Sequence, residues 1–291
     1  MSELTVSLPT DPGLREALAD EPGVTFVTWD MEGAAPGRRF DLVVPPYWGG
    51  NRQLAHLAGV ETRLVQWQSI GYNGVTKYLP EGVPLANAAT VHETSTAELA
   101  LALTLSAQRG IPEFVRDGLE HRWDLRSFPS LADRRVLLIG YGGVSKAIEA
   151  RLAGFEVEIT RLARTSREET NLAGETVAVH GFAELHARLA EAEIVIMAVL
   201  LTAETTGLLD AAALAALPDG ALLVNVARGP VVDTDALIAE LSAGRLRAAL
   251  DVTDPEPLPA EHPLWECPGV PISPHVGGDS SAMLPRMVAL I

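Results

Sequence analysis

Cysteine is almost absent from this sequence: Cys267 is the only one in 291 residues. That excludes an internal disulfide and a cysteine-based metal cluster. No metal centre is expected, and the usage suits a reducing compartment in which the lone thiol packs rather than reacts. Cations are scarce as well, with 22 lysines and arginines against 38 aspartates and glutamates, a formal net charge of −16 at pH 7. Long-range attraction to a phosphate backbone or an anionic lipid surface is unfavourable at that charge, so no nucleic acid and no membrane is expected as a partner. Long apolar runs are missing too. The longest, IVIMAVLL at 194–201, is too short to span a bilayer, and the opening MSELTVSLPTDPG has neither a basic n-region nor an apolar h-region. The expectation is a cytoplasmic protein.

What is present reads as a folded α/β chain. The composition is 47% hydrophobic and 21% charged, and the length exceeds the usual size of one compact core, so two domains are expected, with one long single domain as the alternative. The first hundred residues alternate short apolar runs with polar or helical stretches: LTVSLP, PGLREALAD, VTFVTWD, DLVVPPYW, RQLAHLAG, RLVQWQSIG and VPLANAA. That rhythm predicts a parallel sheet. A helix through AELALALTLSAQRG follows, with Thr94, Ser95 or Thr96 as its cap and Gly110 as its end; it is apolar on nearly all faces and therefore expected to be buried. After a polar connection at 116–135, a second alternation predicts strands near RVLLIG, EVEITRL, TVAVH, IVIMAVL, ALLVNVA and AALDVT. This is a second doubly wound sheet, and such sheets bind ligands at the carboxyl ends of their strands.

The first of those ends carries the clearest motif, VLLIGYGGVSKAI at 136–148. Gly140 permits the tight turn, and Gly142 removes a side chain where a pyrophosphate would approach helix N-terminal amides, with Gly143 and Val144 beside it. The usual third glycine is lacking. Ser145 stands in its place and is expected to displace the helix slightly, its hydroxyl free to donate to a phosphate. The next strand is expected to end near Thr160 or Arg161, and no acid is there to take a ribose 2′-hydroxyl. Arg161, Arg164 and Arg167 crowd that end with Thr165 and Ser166, a set suited to a 2′-phosphate, so NADP(H) is the first choice and NAD the alternative.

Three downstream stretches, NVARGPVVDTDAL (225–237), LDVTDPEPLP (250–259) and ISPHVGGDS (272–280), together with LTAETTGLL (201–209) and the glycine turn, resemble the D-isomer-specific 2-hydroxyacid dehydrogenases, a group that includes glyoxylate/hydroxypyruvate reductases and phosphoglycerate dehydrogenases. Residues 65–103 are similar to that family's substrate loop and following helix. The resemblance implies a flavodoxin-like substrate domain over residues 1–96, completed by 276–291, and a Rossmann NAD(P)-binding domain over 97–275. It implies hydride transfer between NADP(H) and a small 2-oxo acid/D-2-hydroxy acid pair. Arg228 would bind the carboxylate and polarise the carbonyl, and His275, oriented by Glu256, would be the acid/base. Ile70 and Gly71 would offer backbone N–H groups to the carboxylate, while Thr202, Thr206, Ala227 and Asp251 would border the cofactor.

A homodimer with contacts in 99–135 is also implied. Where this sequence departs from the family, Leu200 replaces a common proline and Asn73 a common aspartate, and the chain stops at Ile291 inside an expected terminal helix. The same fold also serves nucleotide-sensing corepressors, which is the alternative function. A methyltransferase has a glycine turn as well, but would leave Arg228, Glu256 and His275 unexplained.

Overall fold

The computed structural model describes residues 3–291, and the chain divides into two compact units. One runs up to His92 and resumes over Gly278–Ile291; the other is Glu93–Gly277. These boundaries lie a few residues from the expected 96/97 and 275/276 for local reasons. Residues 93–96 are already the first turn of a helix rather than its approach. Val276 and Gly277 stay with the second unit because Asp251 accepts from both of their N–H groups.

In the first unit, strands β1 (Leu4–Leu8), β2 (Val24–Thr28), β4 (Leu42–Val43), β6 (Val65–Gln66) and β7 (Leu85–Ala86) run parallel in the order β2-β1-β4-β6-β7. That is the flavodoxin-type winding, with the second strand outside the first and the rest added on the other side. The short strands β3 (Arg39–Phe40) and β5 (Glu61–Thr62) pair apart from this sheet. One core joins Val6, Leu8 and Val44 to Leu14 and Leu18 of α1 (Pro12–Leu18) and to Met287 of the terminal helix Met283–Leu290. The other gathers Val43, Val65 and Trp67 with Trp29, Phe40, Leu54 and Leu57. The RQLAHLAG stretch forms 3₁₀ turns over Asn51–Leu57.

The second unit begins with α2 (Glu93–Gln108), which starts earlier than its expected cap. Gly110, at φ 64°, separates it from α3 (Ile111–Leu119), a helix the sequence reading did not anticipate. Then come β8 (Arg135–Ile139), α4 (Gly143–Leu152), β9 (Glu158–Ala163), β10 (Arg167–Thr170), β11 (Thr176–Gly181), α5 (Leu185–Leu189), β12 (Ile194–Met197), α6 (Ala211–Ala216), β13 (Leu222–Asn225), α7 (Thr234–Ser242) and β14 (Arg247–Leu250).

The strand order β11-β9-β8-β12-β13-β14 is the Rossmann winding, and β10 adds an antiparallel edge beyond β11. Alternation along the strands explains why helices cover both faces. Leu137, Ile139, Val195, Met197 and Leu223 enter one core, whereas Val136, Leu138, Ile194, Ile196, Leu222 and Val224 enter the other. Cys267 is buried in the first of these cores, and burial pushes its thiol above the ordinary range, as befits a packing residue.

Among the described residues no helix is long and apolar enough to cross a membrane. Nor does any group of three or more His, Cys, Asp or Glu residues gather there that could hold a metal ion.

Candidate active site

The turn between β8 and α4 is built around two contacts. Gly140 has φ 90°, and a Cβ there would lie 2.6 Å from the Ala198 carbonyl oxygen beyond the neighbouring strand β12, so both conformation and space require glycine. Ser145 is buried and donates its hydroxyl to the Gly140 carbonyl. The expectation that this hydroxyl would be free for a phosphate is therefore corrected: it closes the turn from within.

Helix α4 starts at Gly143, after Gly142, without a side-chain cap, and a Cβ at Gly142 would meet no neighbour. The space over Gly142 is open, whereas the Glu93 side chain lies 2.9 Å from where a Cβ on Gly143 would stand, so glycine is required there. An uncapped helix N-terminus of this kind fits a pyrophosphate of a dinucleotide, the amides of Gly142, Gly143 and Val144 being the donors at hand.

Arg161 is the clearest correction to the cofactor set. It lies within β9 rather than at its end, and its guanidinium reaches both oxygens of the buried Glu149 at 2.9 and 2.7 Å. Tyr141, between the two turn glycines, donates to the same carboxylate at 2.5 Å, and Asn171 does so at 3.1 Å. Burial works against a charged Glu149, but the hydrogen bonds from Arg161, Tyr141 and Asn171 outweigh it and hold the carboxyl below its usual range. Burial and then the adjacent carboxylate push the Tyr141 phenol up to about 12. Arg161 thus braces the floor of the turn.

The real end of β9 is Ala163, so the exposed residues just past it are Arg164, Thr165, Ser166 and Arg167. Arg164, with 75% of its side chain exposed, has only a 3.7 Å contact to Glu204. Arg167 binds Glu169 at 3.0 Å and donates to the Tyr141 carbonyl at 3.2 Å, tying β10 to the glycine turn.

Further along the sheet edge, the 201–206 turn is organised by Thr205. Its hydroxyl accepts from the Thr202 N–H at 2.8 Å and donates to the Leu200 carbonyl at 2.6 Å; Thr206 donates to the Thr202 carbonyl at 2.7 Å.

After β13, buried Asn225 accepts from the Ala227 N–H and donates to the Arg228 carbonyl, both at 3.0 Å, which sets the backbone from which the half-buried Arg228 projects. Gly229 completes the turn, because a Cβ there would collide with the Thr253 carbonyl. Neither Asn225 nor Gly229 was singled out from the sequence, although both lie inside NVARGP.

His275 and Glu256 meet at 2.5 Å, Nδ1 to Oε1. Burial alone would raise the Glu256 carboxyl. The hydrogen bond and charge of His275, a backbone N–H and the charge of Arg228 prevail and hold it below the usual carboxylate range. His275 adopts φ 55°, a left-handed conformation uncommon outside glycine, and the loop around it explains why it stays there. Its N–H donates to the Asp251 carbonyl at 2.8 Å. The buried Asp251 carboxylate accepts from Ser273 Oγ, Val276 N and Gly277 N at 2.6, 3.0 and 2.9 Å. Asp251 therefore anchors the histidine loop from below.

In the first unit, Ile70 and Gly71 lie on the loop after β6, as expected, and both are half-buried. His92 is buried, with Nε2 at 2.6 Å from the Gln68 carbonyl and Nδ1 at 3.0 Å from that of Gly278, and Tyr47 stacks on it with ring centroids 5.5 Å apart. His56 and His186 are exposed.

Residues 101–277 match the family model described as "D-isomer specific 2-hydroxyacid dehydrogenase, NAD binding domain". A glyoxylate reductase of Pyrococcus horikoshii is 32% identical over 241 residues, which cover 79% of this chain and 71% of that protein. The crystal structure of a D-isomer specific 2-hydroxyacid dehydrogenase from Xanthobacter autotrophicus Py2, in complex with NADPH and MES, superposes with a TM-score of 0.80 at 30% identity, covering 99% of this chain and 93% of the other. An NADPH-dependent glyoxylate/hydroxypyruvate reductase from Sinorhizobium meliloti, in complex with NADP and malonate, does so with a TM-score of 0.80 at 26% identity, covering 99% and 91%.

Proposed function

This chain belongs to the D-isomer-specific 2-hydroxyacid dehydrogenases, and we propose that it uses NADP(H) to interconvert a small 2-oxo acid and its D-2-hydroxy acid. It is an NAD(P)-linked oxidoreductase, and we propose the cofactor preference and the residue roles that follow. The observation that carries them is the joining of three separate sequence stretches at one place: His275 on Glu256 at 2.5 Å, with the Arg228 charge acting on the same carboxylate.

When bound, the dinucleotide supplies or accepts the hydride. The chain's own residues do the rest. Arg228 offers a planar fork of N–H donors to the carboxylate and carbonyl oxygen, drawing charge toward that oxygen as it becomes an alkoxide. His275 gives its proton to that oxygen during reduction and takes it back during oxidation. Glu256 holds the Nδ1 side of the ring, leaving Nε2 as the atom that exchanges the proton. Ile70 and Gly71 offer N–H groups to the substrate carboxylate. Thr202, Thr206, Ala227 and Asp251 are the proposed neighbours of the cofactor's nicotinamide half.

The 2′-phosphate reading now rests on Arg164, Thr165, Ser166 and Arg167 without Arg161. NADPH is expected to be oxidised with a kcat/KM about ten- to a hundredfold above that for NADH on a panel of 2-oxo acids from glyoxylate upward. Arg164→Ala should remove most of that preference while leaving the NADH value unchanged, because one charge-assisted hydrogen bond contributes about 1.5–3 kcal/mol. Equal use of NADPH and NADH by the wild type would return the arginines to a surface role. Cofactor binding with no turnover of any 2-oxo acid would overturn the enzyme reading in favour of a nucleotide sensor.

We also propose that a second copy of the chain covers the row Phe114, Val115, Leu119, Trp123 and Leu125. These large apolar residues are all exposed, Trp123 at 92% and Leu125 at 87%. In a chain of net charge −16, residues 111–126 hold three arginines against four acids, so two copies meet there with little repulsion. Light scattering should give a dimer for the wild type and a monomer for a Trp123→Ser/Leu125→Ser double variant. A monomeric wild type at micromolar concentration would refute this arrangement.

A further inference from the structure

Four consecutive carbonyl groups on the loop after β6 are each held by a hydrogen-bonding partner. That of Gln68 meets His92 Nε2 at 2.6 Å, and that of Ser69 accepts from the Ala88 N–H at 3.1 Å. The Ile70 carbonyl accepts from Asn87 Nδ2 at 2.9 Å, and the Gly71 carbonyl from Trp67 Nε1 at 3.0 Å. In a planar trans peptide the C=O points opposite to the N–H of the following residue. Fixing each of these carbonyls therefore fixes the direction of the N–H that follows it, on Ser69, Ile70, Gly71 and Tyr72 in turn. Among the described residues, none of these four N–H groups has a hydrogen-bond partner. Successive unpaired N–H groups held in fixed directions are suited to bind an anion.

Three of the four restraints come from side chains, and the Trp67 and Asn87 donors have no other acceptor among the described residues. Trp67 is buried in the core of the first unit, and its ring N–H is directed to Gly71 alone. Asn87 is half-buried; its amide oxygen accepts from the Ala89 N–H at 3.4 Å, which orients its NH₂ toward Ile70. Its own carbonyl is gripped by Gln66 Nε2 at 3.0 Å, so the donor is mounted on a fixed strand end.

We infer that Asn87 and Trp67 are positioning residues for recognition of the substrate carboxylate: Asn87, by holding the Ile70 carbonyl, aims the Gly71 N–H at it, and Trp67, by holding the Gly71 carbonyl, fixes the far side of the same glycine so that this N–H keeps its direction. This rests on the proposal that the loop binds the carboxylate. Neither side chain touches the substrate. Each acts by denying its peptide unit the freedom to flip.

The test compares kcat/KM for a 2-oxo acid with that for the 2-oxo amide of the same carbon skeleton, in the wild type, Asn87→Leu and Trp67→Phe. Both substitutions remove the donor and add no charge; Asn87→Leu keeps approximate shape, and Trp67→Phe gives up part of the ring volume. The wild type should prefer the acid, and each variant should lose about ten- to a hundredfold of that preference through KM, because a mis-aimed N–H forfeits a hydrogen bond to a charged group. NADPH affinity, measured alongside, should stay close to wild type, and the melting temperature should fall for Trp67→Phe more than for Asn87→Leu; a purely structural defect would lower acid and amide together and leave the ratio intact. An unchanged ratio in the variants, with a wild type that prefers the acid, overturns the positioning role and leaves the loop reading standing. A wild type indifferent to acid and amide overturns the loop reading and the positioning role with it. Should one variant fail to fold, the other decides.

Discussion

Replacing Arg228 with alanine is expected to lower kcat/KM for a 2-oxo acid by roughly two to four powers of ten. The estimate follows from two charge-assisted hydrogen bonds at about 1.5–3 kcal/mol each, with about 1.4 kcal/mol for every factor of ten. The backbone should survive the change: the guanidinium donates to the Ala227 carbonyl at 2.6 Å, but Asn225 and the close packing of Gly229 on Thr253 still hold the turn when that bond is lost. The melting temperature and NADPH affinity should accordingly stay near wild type. Arg228→Lys keeps the charge but loses the planar fork, so it should recover only part of the loss. A kcat/KM within threefold of wild type for Arg228→Ala would remove this residue from the chemistry.

The second large effect is expected at His275. Removing its proton transfer should cost about 10²–10⁴ in kcat. Asparagine is the better probe than alanine here, since the residue sits at φ 55° and asparagine tolerates that region while still filling the space. The same variant should lose the pH dependence that the imidazole contributes to kcat/KM. Glu256 is no substitute proton carrier: its carboxyl is held below the ordinary range and stays ionised throughout the neutral region. Glu256→Gln should therefore lower kcat less than His275→Asn does, and should do so by loosening the ring. Turnover by His275→Asn at the wild-type rate, with its pH profile unchanged, would show that another group moves the proton.

Much of this was legible in the residues. Alternating apolar runs located both sheets, because side chains at successive positions of a strand face opposite cores, and Val136 and Leu137 do divide in that way. The glycine turn was legible for a similar reason: a positive φ leaves little choice of residue at Gly140. The loop residues Asn225 and Gly229 were not singled out, although they lie inside a quoted motif. Their importance depends on Arg228 and Thr253, and the latter is brought near only by the pairing of β13 with β14. The short strand β10 escaped notice because RTSREET has no apolar alternation; it exists by pairing with the edge of β11.

Arg161 marks the limit most clearly. By composition it belonged with Arg164 and Arg167, three cations in seven positions. Its true partner, Glu149, lies twelve residues earlier on a helix, and only the packing of α4 against the sheet places the carboxylate beneath the guanidinium. The sequence by itself determined what depends on neighbours along the chain: two doubly wound sheets, the glycine turn, and the residue types able to do acid/base and carboxylate chemistry. The tertiary structure alone decided which of those groups meet, joining Glu256 to His275, Arg161 to Glu149 and the Ser145 hydroxyl to the Gly140 carbonyl. A hydrogen bond requires two groups within about 3 Å, and that distance is set by strand order and helix packing, which no local pattern records.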